Sequence, residues 1–219
     1  MENTRRGVHI AFEGIDGSGL TTHSRRLVDE LSNMGYKSEY FKEPTKGPIG
    51  DLIRSFLRGY DRVRHDLLAL LFAADRLWNY HASTKPIALL KEQGYIVVSD
   101  RYKYSSAAYQ GAFTDLEWVW IINSRVPHAD IIVYLDVPVD VALRRIELRS
   151  KNGVAREHYE KAELLEKIRR NYEVVLRKAE EEGVVVIKIS GVDSGGERSI
   201  DEVAREIKEK IVDFITSRR

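Results

Sequence analysis

Residues 8–22 read VHIAFEGIDGSGLTT. The apolar run Val8–Glu13 has the form of a strand buried on both faces, and Thr22–Met34 that of a helix ending at Gly35. Between them, GIDGSGLTT follows the phosphate-loop pattern G-x-x-x-x-G-K-[ST] at Gly14, Gly19 and Thr21, but Leu20 stands in the lysine position. Such a loop works first through its backbone. Glycines allow unusual dihedrals and close approach, and successive amides then point into one concavity at a helix N-terminus. Gly14, Gly17 and Gly19 supply the permissive positions, and Ile15, Asp16, Ser18, Leu20, Thr21 and Thr22 complete the cradle. Thr21 offers a hydroxyl to Mg²⁺. The missing lysine supplies something separate, a charge-assisted contact to the β- and γ-phosphates of roughly 1.5–3 kcal/mol. Its absence weakens chemistry more than phosphate binding. Taken alone, the stretch also fits a glycine-rich strand–helix turn that holds no ligand.

Four more segments have strand length: Lys37–Lys42, Tyr95–Asp100, Asp130–Asp136 and Val184–Ser190. All but KSEYFK at 37–42 are rich in Val or Ile and apolar on successive residues, as in a parallel sheet covered on both faces. Helical patterns occupy Asp66–His81, Lys85–Gln93 (ending at Gly94), Val139–Arg149, Glu160–Glu182 and Ile200–Ser217. The alternation predicts one doubly wound α/β domain over residues 1–219. Arg149–His158 and Gly191–Gly196 read as loops, the first mobile and dense in charge.

Composition narrows the function classes. The 219 residues carry a formal net charge of +1, so no global field argues for nucleic acid or a membrane surface. There is no cysteine, which excludes disulfides and thiolate chemistry and fits a reducing compartment. No apolar run approaches the roughly 20 residues of a spanning helix, and the first residues lack the form of a signal peptide. The expectation is a cytoplasmic soluble protein. Charged residues make up 32% and the glutamines are Gln93 and Gln110, a composition in the direction of thermophiles.

Several downstream constellations share one chemistry. In VVSDRYKYSS (97–106), Asp100 ends a buried strand, where a carboxylate can hold Mg²⁺, and Arg101 beside it can grip a phosphate bidentately. A strand-end ion pair is the plain alternative. In LLFAADRLW (70–78), Phe72 and Arg76 share a helix face and can stack on and bond a nucleobase, or be a core ring with a snorkelling arginine. YQG at 109–111 offers a ring and an amide for a base, or an ordinary helix end. Glu43–Pro44 makes a turn after the second strand. Arg144, Arg145, Arg149, Lys151 and Arg156 form a basic stretch able to close over polyphosphate, or a solvated surface. Tyr159 beside it is open between packing and substrate contact. The six histidines are scattered, and no metal-ligand spacing or serine-protease constellation is present.

In this order the segments EGIDGSGxTT (13–22), EPT (43–45), LLFAADR (70–76), VVSDRYxxSSxAYQG (97–111), DIIVYLDVP (130–138) and ALRRIELR (142–149) resemble the thymidylate kinase family over nearly the whole chain. The resemblance implies a P-loop NTPase-type three-layer α/β fold, with helices on both faces of a five-stranded parallel sheet, usually in a homodimer. It implies Mg²⁺-dependent transfer of the ATP γ-phosphoryl group to dTMP, with no nucleic acid or membrane partner. It implies that Phe72 stacks on thymine, Arg76 meets a base carbonyl and Arg101 holds the dTMP phosphate. Asp16 lies by the sugar 3′-hydroxyl, Ser106 and Gln110 border the base, and Tyr109 lies near the sugar. Glu43–Pro44 shapes the sugar wall, with a peptide that can be cis in relatives. Thr21 and Asp100 organise Mg²⁺, and Gly191, Val192 and Asp193 lie near adenine. With no arginine inside the loop, Arg145, Arg149 and Arg156 of a lid at about 144–158 are expected to supply catalytic charge. The departure is Leu20. Two alternatives remain: a phosphate-loop kinase of another nucleotide, or a nucleotide-binding pseudokinase.

Overall fold

The computed structural model describes residues 6–59, 63–151 and 161–217. Its centre is a five-stranded parallel sheet of β1 (Val8–Glu13), β2 (Ser38–Lys42), β3 (Ile96–Asp100), β4 (Ile131–Asp136) and β5 (Val185–Ser190), in the order β2-β3-β1-β4-β5. Each strand lies within one residue of its sequence expectation. The helices are α1 (Leu20–Asn33), α2 (Pro48–Gly59), α3 (His65–His81), α4 (Ile87–Glu92), α5 (Lys103–Tyr109), α6 (Leu116–Ile122), α7 (Val139–Lys151), α8 (Ala162–Glu181) and α9 (Ile200–Ser217). Gly35 and Gly94 follow α1 and α4 with positive φ of 85° and 78°, as the C′ expectation required.

Alternation along the buried strands divides the core in two. Ile10, Phe12, Val98 and Val133 face a layer made by α1 and α9, with Leu27, Leu31, Val203, Ile207 and Ile211. Ala11, Val97, Ile132 and Tyr134 face the opposite layer, where α5 and α8 bring Tyr104, Ala107, Ile168 and Tyr172. Register then sets the working edge. Phe12 pairs with Asp100 across β1–β3, and Lys42 pairs with Asp100 across β2–β3, so three strands end together.

Two expectations need correction. The helix after the loop starts at Leu20, not Thr22, so the last loop glycine is its N-cap. The expected helix Val139–Arg149 runs two residues further, since α7 continues to Lys151 into the segment read as a loop. Arg156 and Tyr159 lie outside the described residues.

Leu20 is 6% exposed and belongs to the α1/α9 core. Leu20→Ala leaves a cavity there, so a loss of about 2–5 kcal/mol in unfolding free energy is expected from urea denaturation. A change below 0.5 kcal/mol would mean the side chain is not packed as described.

Candidate active site

The loop between β1 and α1 is fixed from both sides of the sheet. Ile15, 1% exposed, enters the α5/α8 core, while Leu20 enters the α1/α9 core. Gly17 has φ of 84°, and a Cβ there would meet the Ala142 carbonyl oxygen at 2.4 Å, so only glycine fits. Gly19 caps α1 with φ of 99°, and no side chain bonds the first-turn amides. Those N–H groups and the positive end of the helix remain available to an anion. Thr22 is exposed on the cleft, and the Ser18 hydroxyl is buried without a partner.

At the strand ends, Asp100 collects three donors. Its Oδ2 accepts from Thr21 Oγ1 at 2.5 Å, Tyr40 OH at 3.0 Å and Lys42 Nζ at 2.9 Å. Lys42 also donates to Thr21 Oγ1 at 2.8 Å. Hydroxyl and carboxylate oxygens are hard donors of the kind Mg²⁺ prefers, and a cation already sits on this pair. The described residues hold no cluster of three His, Cys, Asp or Glu side chains that would cage a metal. A Mg²⁺ on Thr21 and Asp100 would need its other ligands from phosphate and water, which suit this ion.

Arg101 leaves the sheet with φ of 74°, a left-handed conformation that L residues adopt only at a cost. Its guanidinium joins the loop to α5. It donates to Gly14 O at 2.9 Å, Asp16 Oδ1 at 2.6 Å, Ser105 Oγ at 3.0 Å and Tyr109 OH at 3.0 Å. Beneath it lies Glu13, fully buried, whose carboxylate accepts from Tyr102 N, Ser105 Oγ and Tyr172 OH. Burial pushes the Glu13 carboxyl up to about 7, against the pull of these donors and of Arg101.

A second buried network lies further along the cleft. Arg76, 1% exposed, donates to both oxygens of Glu43, to Asn123 Oδ1 and to Ser106 Oγ. This corrects the snorkelling alternative for Arg76, since the guanidinium is buried and bonded. It is held by three side chains from other segments. The Glu43–Pro44 peptide is cis. Asp75 accepts from Thr45 N at 2.7 Å and Thr45 Oγ1 at 2.6 Å, and Arg54 donates to Pro44 O at 2.9 Å. Phe72 is half-buried on the cleft wall, and Gln110 is 2% exposed with Oε1 unbonded.

These networks line one cavity of about 1,760 Å³. A pocket for one drug-sized ligand measures roughly 300–1,000 Å³, so the space has room for two ligands side by side. Arg145 and Arg149 of α7 line it near the loop, and Arg145 bonds Glu197 Oε2 at 3.1 Å and approaches Gly17 O at 3.4 Å. Gly191 also lines it, while Val192 and Asp193 form a hairpin strand just beyond, paired with Gly196–Glu197. Arg198, Ser199 and Ile200 take up the wall there instead. His23 packs under Gly19, and burial drops its imidazole to about 4, so it brings no charge at neutral pH.

Sequence reasoning singled out Asp16, Glu43, Arg76, Asp100, Arg101, Ser106, Tyr109 and Gln110, and the fold brings them all to this cavity. It passed over Glu13, Lys42, Arg54, Asp75 as a loop anchor, Asn123 and Tyr172. A carboxylate closing an apolar strand was the one available signal for Glu13.

A family model described as thymidylate kinase matches residues 12–207. A putative thymidylate kinase of Aeropyrum pernix is 50% identical over 206 residues, covering 94% of this chain and 96% of that protein. A probable thymidylate kinase of Pyrococcus horikoshii is 42% identical over 174 residues, covering 76% and 82%. The solved thymidylate kinase of Candida albicans superposes with a TM-score of 0.74 at 26% identity, covering 94% of this chain and 91% of that one.

Two outcomes follow from the buried networks. Asp75→Ala strands the Thr45 amide and hydroxyl and should cost about 1–3 kcal/mol in urea denaturation. Glu13 titrates near 7 when folded and near 4.5 when unfolded. The folded state therefore holds its proton longer, and the stability this contributes below pH 4.5 is lost as pH rises through 7. Between those values the slope approaches about 1.4 kcal/mol per pH unit. Unfolding of Glu13→Gln should be flatter across pH 5–8, and parallel curves would remove Glu13 as the cause.

Proposed function

The chain belongs to the thymidylate kinase family, and we propose that it transfers the γ-phosphoryl group of ATP to dTMP with Mg²⁺, in this cavity. The observation that carries the reading is the place of Arg101, shared between Gly14 and Asp16 of the phosphate loop and Ser105 and Tyr109 of α5. A guanidinium there lies between a donor held by the loop and an acceptor held by α5.

Catalysis in such a transfer is mostly positioning and charge stabilisation. The loop amides hold the donor β- and γ-phosphates at the uncapped start of α1. Arg101 holds the acceptor phosphate and keeps its oxygen in line. That oxygen is ionised at neutral pH, so no strong base is needed. It bonds to the γ-phosphorus as the bond from that phosphorus to the β–γ bridging oxygen breaks, and the electron pair leaves with ADP. Mg²⁺ on Thr21 and Asp100 would neutralise charge on the phosphate chain. Arg145, Arg149 and Arg156 are our choice for lid arginines. Phe72 and Gln110 are assigned to the base, with Arg76 positioned by Glu43, Asn123 and Ser106. Tyr109 and Asp16 are assigned to the sugar side, Tyr159 to the acceptor, and the strip from Gly191 to adenine.

The coarser features follow the same pattern. Leu67, Leu70, Ala74 and Leu77 form an exposed apolar stripe on α3, which fits a homodimer contact. No helix among the described residues is long and apolar enough to cross a membrane. Together with the absence of cysteine, this supports a reducing, cytoplasmic setting. The charge content supports a thermophilic source.

A coupled assay for ADP with ATP, Mg²⁺ and a panel of nucleoside monophosphates tests the reading. Turnover should be highest with dTMP, and Arg101→Ala should lower kcat/KM by roughly 10²–10³. Absence of dTMP-dependent turnover in folded wild type would overturn it in favour of a pseudokinase. Among Arg145→Ala, Arg149→Ala and Arg156→Ala, at least one should slow turnover tenfold or more; three wild-type rates would remove the lid from the mechanism.

A further inference from the structure

The structure leaves the usual loop cation without a place. Leu20 points into the α1/α9 core and is 6% exposed, so no charge reaches the phosphates from that position. Three basic groups close to the loop are held elsewhere or uncharged. The Arg101 guanidinium is divided among Gly14, Asp16, Ser105 and Tyr109. Arg145 is paired with Glu197. His23 is neutral.

Lys42 differs from all of these. It is the last residue of β2, two strands from the loop, and its register opposite Asp100 brings its stem to the cleft. Its ammonium lies 2.8 Å from the hydroxyl of Thr21, the residue that follows Leu20. Among the described residues its hydrogen-bond partners are Thr21 and Asp100, the oxygen pair that suits a divalent ion. The side chain is 48% exposed and lines the same cavity, so its four-carbon stem can turn without crossing packed core. Lys42 and a divalent ion cannot both keep that oxygen pair. Displaced from it, the ammonium remains within a side-chain length of Thr21, where the negative charge is the donor's phosphate chain.

We propose that Lys42 supplies the positive charge the loop lacks at Leu20, contacting the β- and γ-phosphates of the nucleoside triphosphate donor. The inference rests on the kinase reading for its rate consequences but not for its binding consequences. A contact from a neighbouring strand would keep the charge while leaving position 20 free for apolar packing. The rival role for Lys42 is simple counter-charge to Asp100.

A double-mutant cycle separates the two. Lys42→Met should lower kcat by roughly 10²-fold. Leu20→Lys should restore at least tenfold of that loss in the Lys42→Met background. Equal effects of Leu20→Lys in both backgrounds, or a wild-type kcat for Lys42→Met, would overturn the proposal. Because a lysine at position 20 disturbs the core, a second arm avoids it. Calorimetric binding of ATP and of AMP is measured in EDTA with Asp100→Asn and with Asp100→Asn/Lys42→Met. Phosphate contact predicts at least fivefold weaker ATP binding in the double variant with AMP unchanged. Unchanged ATP binding would leave Lys42 as counter-charge only and overturn the proposal. Should wild type show no dTMP turnover, the kinase reading fails, and this binding arm still decides the role of Lys42.

Discussion

The parallel register at the carboxyl edge of the sheet is the constraint from which the site is built. β3 lies between β2 and β1, and Asp100 is the residue that both neighbours meet, opposite Lys42 on one side and Phe12 on the other. Its carboxylate therefore receives a threonine from the first turn of α1 and a tyrosine and a lysine from β2. The next residue, Arg101, turns out of the sheet in a left-handed conformation and reaches back under the loop to Gly14. A slip of one residue in β3 would carry Asp100 to the opposite face and break this convergence. The buried Val and Ile of β3, each matched to one core layer, make such a slip costly.

Hydrophobic packing also fixes the loop before any ligand arrives. Ile15 is anchored in one core layer and Leu20 in the other, so the backbone between them spans the end of β1 like a strap. Gly17 lies against the Ala142 carbonyl, which excludes any side chain there. The amides at the start of α1 are thus oriented by apolar contacts on both sides of the sheet. Preorganisation of this kind reduces the ordering entropy lost when a phosphate binds.

This division explains what the sequence made legible. Strands were readable because both faces of the sheet are covered, which leaves continuous Val and Ile runs such as IIVYL at 131–135. Helix α2 was not, because Pro44, Gly47, Pro48 and Gly50 crowd its start and mimic a loop; Pro48 at the first helical position was the available signal. Helix α5 is buried at every residue, so it shows no amphipathic period. The catalytic-looking dipeptide at 100–101 could be read, but its partners could not. Asn123 meets Arg76, Tyr172 meets Arg101, and Glu13 meets Ser105 and Tyr172, only through contacts distant in sequence. Nothing in SEYFK marks Lys42 as a neighbour of Thr21.

Leu20 shows why a phosphate loop can separate its two functions. The residue after the last glycine must lie over the sheet, since α1 starts there and packs on β1. A lysine at that position has to run its stem along the core and lift its charge out. Leucine instead buries its whole side chain, worth roughly 1.5–3 kcal/mol relative to exposure. The backbone cradle is untouched by the exchange, because its amides and glycines do not depend on the side chain. Only the point charge is lost, and a charge is the one part of the motif that need not come from the loop. A lysine on the edge strand, half-exposed and paired with Asp100, holds it until the donor arrives, so no unpaired cation has to be buried in the free protein. Position 20 can then be chosen for packing, and position 42 for charge.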